Sequence, residues 1–291
     1  MTSVADALHE LRVLRAVPRV KPLLTISMAD LVLAHPARAG DEVWPIHEQV
    51  AIAHLDLGHL DVAEQHIATL EARFSATSTR IRKLRGMQAE ARGDFTAAGA
   101  IYDALIEANE SDVSVLKRKV ALLKTSGRPR DAIAALATLL DTYPMDPEAW
   151  LELADLYASQ SMLQQALHCI EEAILLVPTS HFAHAAYAQT QYALGHRELA
   201  LKSFCRAVEI VPSYAAGLYG IVQCCAALLL ASSAAAADGA TADADRKLWR
   251  QLSTAAANKI AKRAAGVTVK GQDDSAAVRA ARAYLDAATK Q

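Results

Sequence analysis

Apolar and polar positions alternate with a helical period along most of the chain. In residues 147–180, Trp150, Leu153, Ala154 and Tyr157 are spaced by three, one and three, and Ala166, Ile170 and Ala173 follow at four and three. Each set reads as one apolar stripe of an α-helix. Pro178 closes the unit, because a continuing helix needs the N–H that proline lacks. The pattern recurs in register. Ala166 has counterparts thirty-four residues apart at Ala98, Ala132 and Ala200, Pro178 has them at Pro144 and Pro212, and Gly93, Gly127 and Gly195 share one turn position. Four helix–turn–helix units therefore span 79–112, 113–146, 147–180 and 181–214. A fifth, one residue longer, covers about 44–78, where Gly58, Ala63, Ile67 and Leu70 repeat Gly93, Ala98, Tyr102 and Leu105.

This period and layout are those of a tetratricopeptide repeat. The expected fold is all-α: a right-handed superhelical solenoid of five clear repeats and an irregular sixth that opens with Leu218, Val222 and Cys225. Small Ala154 and Ala166 let paired helices approach, and Trp150 is expected to be buried between repeats. Residues 1–40 read as two short helices, about 4–16 and 23–35, that cap the N-terminal end; a terminal repeat otherwise exposes an apolar face. The solenoid proper covers 41–230. Residues 231–245 use only Ala, Ser, Asp, Gly and Thr. With so little to bury, they read as a flexible loop. Residues 246–291 read as helices, about 246–265 and 273–288, that cap the other end.

The chain has 291 residues and is 53% hydrophobic but only 5% aromatic, so Ala and Leu, the best helix formers, carry the apolar content. Its net charge of −2 provides no field for nucleic acid or an anionic membrane. Residues 213–237 carry no charge and are long enough to span a bilayer. They also contain Gln223 and two glycines and continue the repeat phase, so a buried terminal helix leading into the Ala-rich loop is the preferred reading. Cys169, Cys205, Cys224 and Cys225 form no zinc or redox spacing and read as small buried hydrophobes in a reducing compartment.

No constellation for catalysis is present: there is no GxSxG, P-loop or strand-borne GxGxxG. An enzyme, a cofactor and a metal are therefore not expected. His181 with His184, and His54, His59 and His66, read as surface histidines, since neither group has evident further ligands. Function in such a repeat array resides in the concave groove lined by the first helices. The second, fifth, ninth and twelfth positions of each repeat nominate Arg80, Lys83, Met87, Lys117 and Lys124, then Leu151, Asp155, Phe182, Gln189 and Tyr192. That groove is basic in its N-terminal half, then acidic, then apolar and aromatic. The two-carboxylate clamp for chaperone C-termini needs asparagines in the groove, and Asn109 and Asn258 lie elsewhere.

Several stretches are more specific than the generic repeat. Trp44, Glu48, Gln49 and Val50 form a W-x-x-x-E-Q-V opening within EVWPIHEQVAIAHLDLG, Lys117–Lys119 form a K-R-K run, and AAGLYGI follows at 215–221. Over about 42–265 the chain resembles the subunit 2 family of the endoplasmic reticulum membrane protein complex. The resemblance implies a non-enzymatic scaffold, peripheral on the cytoplasmic face of the endoplasmic reticulum membrane, in a complex that inserts transmembrane segments. It implies partners in the cytosolic parts of subunits 3 and 5 and in the subunit 8/9 module, with membrane contact through partners only. The alternative is a general repeat adaptor that recruits a soluble partner such as a chaperone.

Overall fold

A computed structural model describes residues 3–16, 21–234 and 240–267. All regular elements among them are helical. The chain divides into two compact units, Met1–Ala135 and Leu136–Gln291.

The first unit opens with α1 (Val4–Ala16), α2 (Pro22–Leu33) and the short α3 (Pro36–Ala39), followed by a 3-10 turn at Gly40–Glu42. Three helix pairs follow: α4 (Val43–Asp56) with α5 (Leu60–Phe74), α6 (Thr79–Ala91) with α7 (Phe95–Ala108), and α8 (Val113–Thr125) with α9 (Pro129–Thr142), which runs across the division. Ala7 and Leu11 of α1 and Ala29 and Val32 of α2 bury themselves with Ile46 and Val50 of α4. The N-terminal hairpin thus covers the apolar side of the first repeat. Ala51, Ala63, Ile67, Leu70, Ile81 and Leu84 form the next core, between the first and second repeats.

The second unit holds α10 (Pro147–Ser159), α11 (Leu163–Leu176), α12 (His181–Ala193), α13 (Arg197–Ile210), α14 (Ala215–Ala234) and α15 (Ala240–Val267). Each helix packs on the next in sequence, and α12 also meets α14. Phe204, Leu218, Val222, Cys224, Cys225 and Ile260 share one core with Ala188 and Ala200.

Local chemistry explains the boundaries. Asp94, Asp112, Asp146 and Ser180 cap the N-termini of α7, α8, α10 and α12, accepting from backbone N–H groups of the first turn. Gly58, Gly93, Gly127 and Gly195 turn the chain between paired helices with positive φ of 72–89°. The third position of that thirty-four-residue series, 161, carries Ser161 in the same left-handed region at φ 61°.

The structure departs from expectation at three places. The Ala-rich stretch is helical wherever it is described, with 231–234 ending α14 and 240–245 opening α15. Alanine's helix propensity accounts for the helix there. Trp150 is half-buried rather than enclosed, and its indole Nε1 donates to the Pro144 carbonyl at 2.8 Å. Leu153 and Ala154 of the same stripe are buried. His54 is buried and joins other histidines inside the first repeat. The helix expected at about 273–288 and residues 235–239 lie outside the described residues.

Among the described residues one helix has the length and composition to cross a membrane: Ala215–Ser232, with a mean hydropathy of 1.8. It lies between α13 and α15 in the core of the second unit.

Candidate partner-binding groove

In the first unit, α6 presents Arg80, Lys83 and Met87, and α8 presents Lys117 and Lys124. These basic residues are embedded in local polar contacts. Exposed Arg80 forms an ion pair with Glu48 of α4. Lys83 Nζ donates to Ser114 Oγ at 3.3 Å. The Ser114 hydroxyl donates to Asp112 Oδ1 at 2.7 Å, and that carboxylate caps α8 through the backbone N–H groups of Ser114 and Val115. The Ser114 hydrogen bond, the backbone donors and the Lys83 charge together hold the Asp112 carboxyl below the usual carboxylate range. Met87 is 8% exposed and belongs to the core between the first two repeats, so its thioether is not a groove surface.

In the second unit, α10 carries half-buried Leu151 and exposed Asp155. On α12, Phe182 is 53% exposed, Gln189 is exposed, and Tyr192 packs against the core. Phe182 does not stand alone. Its ring lies 4.0 Å from that of His181 and meets Tyr214 edge-on at 5.7 Å, while His181 meets Tyr214 edge-on at 4.8 Å. These three rings form a surface aromatic cluster, a geometry that stabilises the rings beyond simple burial. Trp150 helps line a separate cavity of about 510 Å3 with Tyr157, His168 and Cys169.

Two polar clusters escape sequence inspection, and a third joins His47 to the His54, His59 and His66 group that the sequence reading placed on the surface. Glu90 takes two hydrogen bonds from Arg118, at 2.9 and 2.8 Å, and one from the hydroxyl of fully buried Tyr102. Arg85 grips Glu71 with two hydrogen bonds of 2.7 and 2.6 Å and reaches Glu64 at 2.6 Å. The Glu71 carboxylate, more than any other group, raises the Arg85 pKa. Planar two-pronged pairing of this kind suits guanidinium uniquely. Third, His47 Nδ1 lies 2.8 Å from His66 Nδ1, and His54 Nδ1 lies 3.3 Å from His59 Nδ1. The partners in these clusters are separated by up to 28 residues, and no local pattern marks the distant pairs. Among the described residues no group of three or more His, Cys, Asp or Glu side chains is arranged to hold a metal.

The cysteines are free thiols inside the second unit. Burial pushes Cys169 up to about 11 and Cys224 and Cys225 up to about 12, so they stay protonated and weakly nucleophilic at neutral pH.

Comparison with known proteins resolves the family. A family profile described as the EMC2 TPR-like repeat domain matches residues 70–202. ER membrane protein complex subunit 2-B of Xenopus laevis is 35% identical over 195 residues, 66% of this chain and 65% of the relative. The TPR repeat protein oca3 of Schizosaccharomyces pombe is 34% identical over 190 residues, 64% of this chain and 67% of the relative. The chain belongs to the EMC2 family of tetratricopeptide-repeat proteins. The alignment spans somewhat less than two thirds of the Xenopus relative's own length. The EMC2 subunit of Dictyostelium discoideum is 29% identical over 190 residues, 60% of this chain and 59% of the relative.

Solved structures agree on the fold alone. The C-terminal part of a TPR repeat-containing protein from Cytophaga hutchinsonii superposes with a TM-score of 0.56 at 14% identity, covering 86% of this chain and 88% of its own. A MamA protein superposes at 0.53 and 18% identity, covering 67% of this chain and 98% of its own. Of the residues that prompted the EMC2 resemblance, Trp44, Glu48 and Gln49 lie on α4, and Lys117–Lys119 on α8.

Proposed function

We propose that this chain is a non-catalytic scaffold subunit of the endoplasmic reticulum membrane protein complex, held at the cytoplasmic face and supporting insertion of transmembrane segments. The observation that carries the reading is the 35% identity to the Xenopus subunit through the repeats themselves. The all-helical repeats supply a binding surface, and such surfaces recruit extended segments without chemistry. In this reading the chain holds the cytosolic parts of subunits 3 and 5, pairs with the subunit 8/9 module, and reaches the membrane through those partners. The packing of α14 between α13 and α15 supports attachment without a spanning helix.

In the first unit, Lys83 and Lys117 occupy equivalent positions on α6 and α8 and favour an acidic segment; in the second, Phe182 with Tyr214 offers an apolar anchor of its own. Charge complementarity sets orientation and encounter rate. An aromatic anchor carries more affinity than an exposed charge does. Two measurements test this. Alkaline carbonate extraction is expected to release the chain from membranes, and retention after loss of partners contradicts peripheral attachment. The double variant Lys83→Glu with Lys117→Glu is expected to recover less partner while remaining folded; normal assembly at physiological salt removes the basic residues from the interface.

A further inference from the structure

Where α4, the end of α5 and the start of α6 meet, the first unit holds an open cavity of about 230 Å3. Pockets for cofactors and drug-sized molecules measure roughly 300–1,000 Å3, so this one suits a single side chain. Its floor is Leu70 and Ile81, both core residues, and its walls are the rings of Trp44 and Phe74. Phe74 is 47% exposed, yet it is held in place. The two rings meet edge to face at 5.6 Å and 86°, and the Arg73 guanidinium lies 5.7 Å from each ring centre. Edge-to-face and cation–π contacts of this kind fix a ring without enclosing it. The aromatic wall is thus formed before any ligand arrives.

The rim carries a definite charge. Glu48 lines the cavity and is neutralised by Arg80. Asp41, exposed on the 3-10 turn, also lines it and has no hydrogen-bond or ion-pair partner among the described residues. Arg73 sits on the ring faces and is not part of the lining. The one uncompensated charge of the lining is therefore negative. The W-x-x-x-E-Q motif gains a physical account here: Trp44 is a wall, Glu48 holds the rim arginine, and Gln49 Nε2 donates to the Leu11 carbonyl at 3.3 Å, bracing α4 against α1.

We propose that this cavity binds an extended segment of a protein partner, seating one large apolar side chain between Trp44 and Phe74 with a neighbouring Lys or Arg of the same segment on Asp41. The apolar anchor supplies most of the affinity and the rim pair sets the direction of the segment. The site shares Arg80 with the groove but neither Lys83 nor Lys117, so each reading fails on its own: Lys83→Glu with Lys117→Glu leaves this cavity intact.

The test is selection of displayed random heptapeptides on the whole chain, on Asp41→Lys and on Phe74→Ala. The wild-type chain is expected to enrich peptides with a large apolar residue within three positions of Lys or Arg. Phe74→Ala is expected to bind the synthetic consensus peptide at least tenfold more weakly, the size of one modest anchor. Asp41→Lys replaces an exposed, unpartnered side chain, so it leaves the fold intact and is expected to switch the selected charge from basic to acidic. The proposal is overturned by absence of enrichment, by a wild-type consensus that is acidic, or by a consensus that neither variant changes. Concentration-dependent dimerisation abolished by Phe74→Ala also overturns it, by assigning the cavity to a second copy.

Discussion

The ring of Tyr102 lies against the backbone of Gly86, so closely that a Cβ at residue 86 would stand 2.5 Å from its Cε1. The hydroxyl of the same ring donates to Glu90, which also accepts both hydrogen bonds from Arg118. Burial first, and then Glu90, raise the Tyr102 pKa, so the phenol remains a donor at any physiological pH. One close approach thus ties α6, α7 and α8 together. In Gly86→Ala the ring must shift and the hydroxyl leaves its carboxylate. Overpacking of this kind costs about 1–3 kcal/mol. The urea midpoint of Gly86→Ala is expected to fall accordingly, and an unchanged midpoint contradicts the close packing.

Ser161 occupies the left-handed backbone region that glycine fills at the equivalent turns. A side chain there costs about 1–2 kcal/mol, partly offset by the greater freedom of glycine in the unfolded chain. Ser161→Gly is therefore expected to stabilise by about 0.5–1 kcal/mol. A calorimetric melting temperature that falls in this variant contradicts the assignment.

The histidines of the first repeat make stability depend on pH. Burial first, then His47 and His54, depress the His66 pKa to about 4, and burial also lowers His47 and His54. Asp30 on α2 opposes the shift at His54 and His66, and His59 adds to it at His54. The unfolded histidine titrates near 6.5. Above that value neither state is protonated and no stability is at stake. Below it the unfolded chain binds a proton that the folded chain refuses, so stability falls with pH until about 4. His66 is half-buried, and about 1–3 kcal/mol is expected to be lost between pH 7 and 5, chiefly in the first unit. Urea melts at the two pH values measure this, and His66→Asn is expected to flatten the dependence. A midpoint that stays constant in the parent contradicts the cluster.

Trp150 marks where sequence reasoning stopped. Periodicity located the helices closely, because Ala98, Ala132, Ala166 and Ala200 must all face the partner helix and are all fully buried. It also identified Leu153 and Ala154 as core. It did not separate a tryptophan inside the stripe from one at its edge, since both satisfy a three-four spacing. With a half-exposed ring and one hydrogen bond to Pro144, Trp150→Ala is expected to cost about 1–3 kcal/mol, below the 3–5 typical of an enclosed tryptophan. A melting curve displaced by more than that restores the enclosed reading.

The same limit applies to the groove. Position within the repeat placed Arg80, Lys83 and Lys117 on first helices, but the burial of Met87 and the pairing of Arg80 with Glu48 depend on α4 and α5, elements from the preceding repeat. The partnership of His47 with His66 was invisible for the same reason, since the two meet only when α4 and α5 fold together. The described ends of the Ala-rich segment depart from expectation on a different ground. Scarcity of buriable side chains argued for a loop, while helix propensity prevailed in 231–234 and 240–245.

The central claim is that this chain is a scaffold within a membrane-protein complex. The most direct measurement is affinity purification of the tagged chain from detergent-solubilised endoplasmic reticulum membranes of its own cells, with quantitative mass spectrometry. The account predicts near-stoichiometric recovery of several multipass membrane proteins together with soluble subunits. Recovery of soluble chaperones alone, with no membrane protein above background, would contradict it.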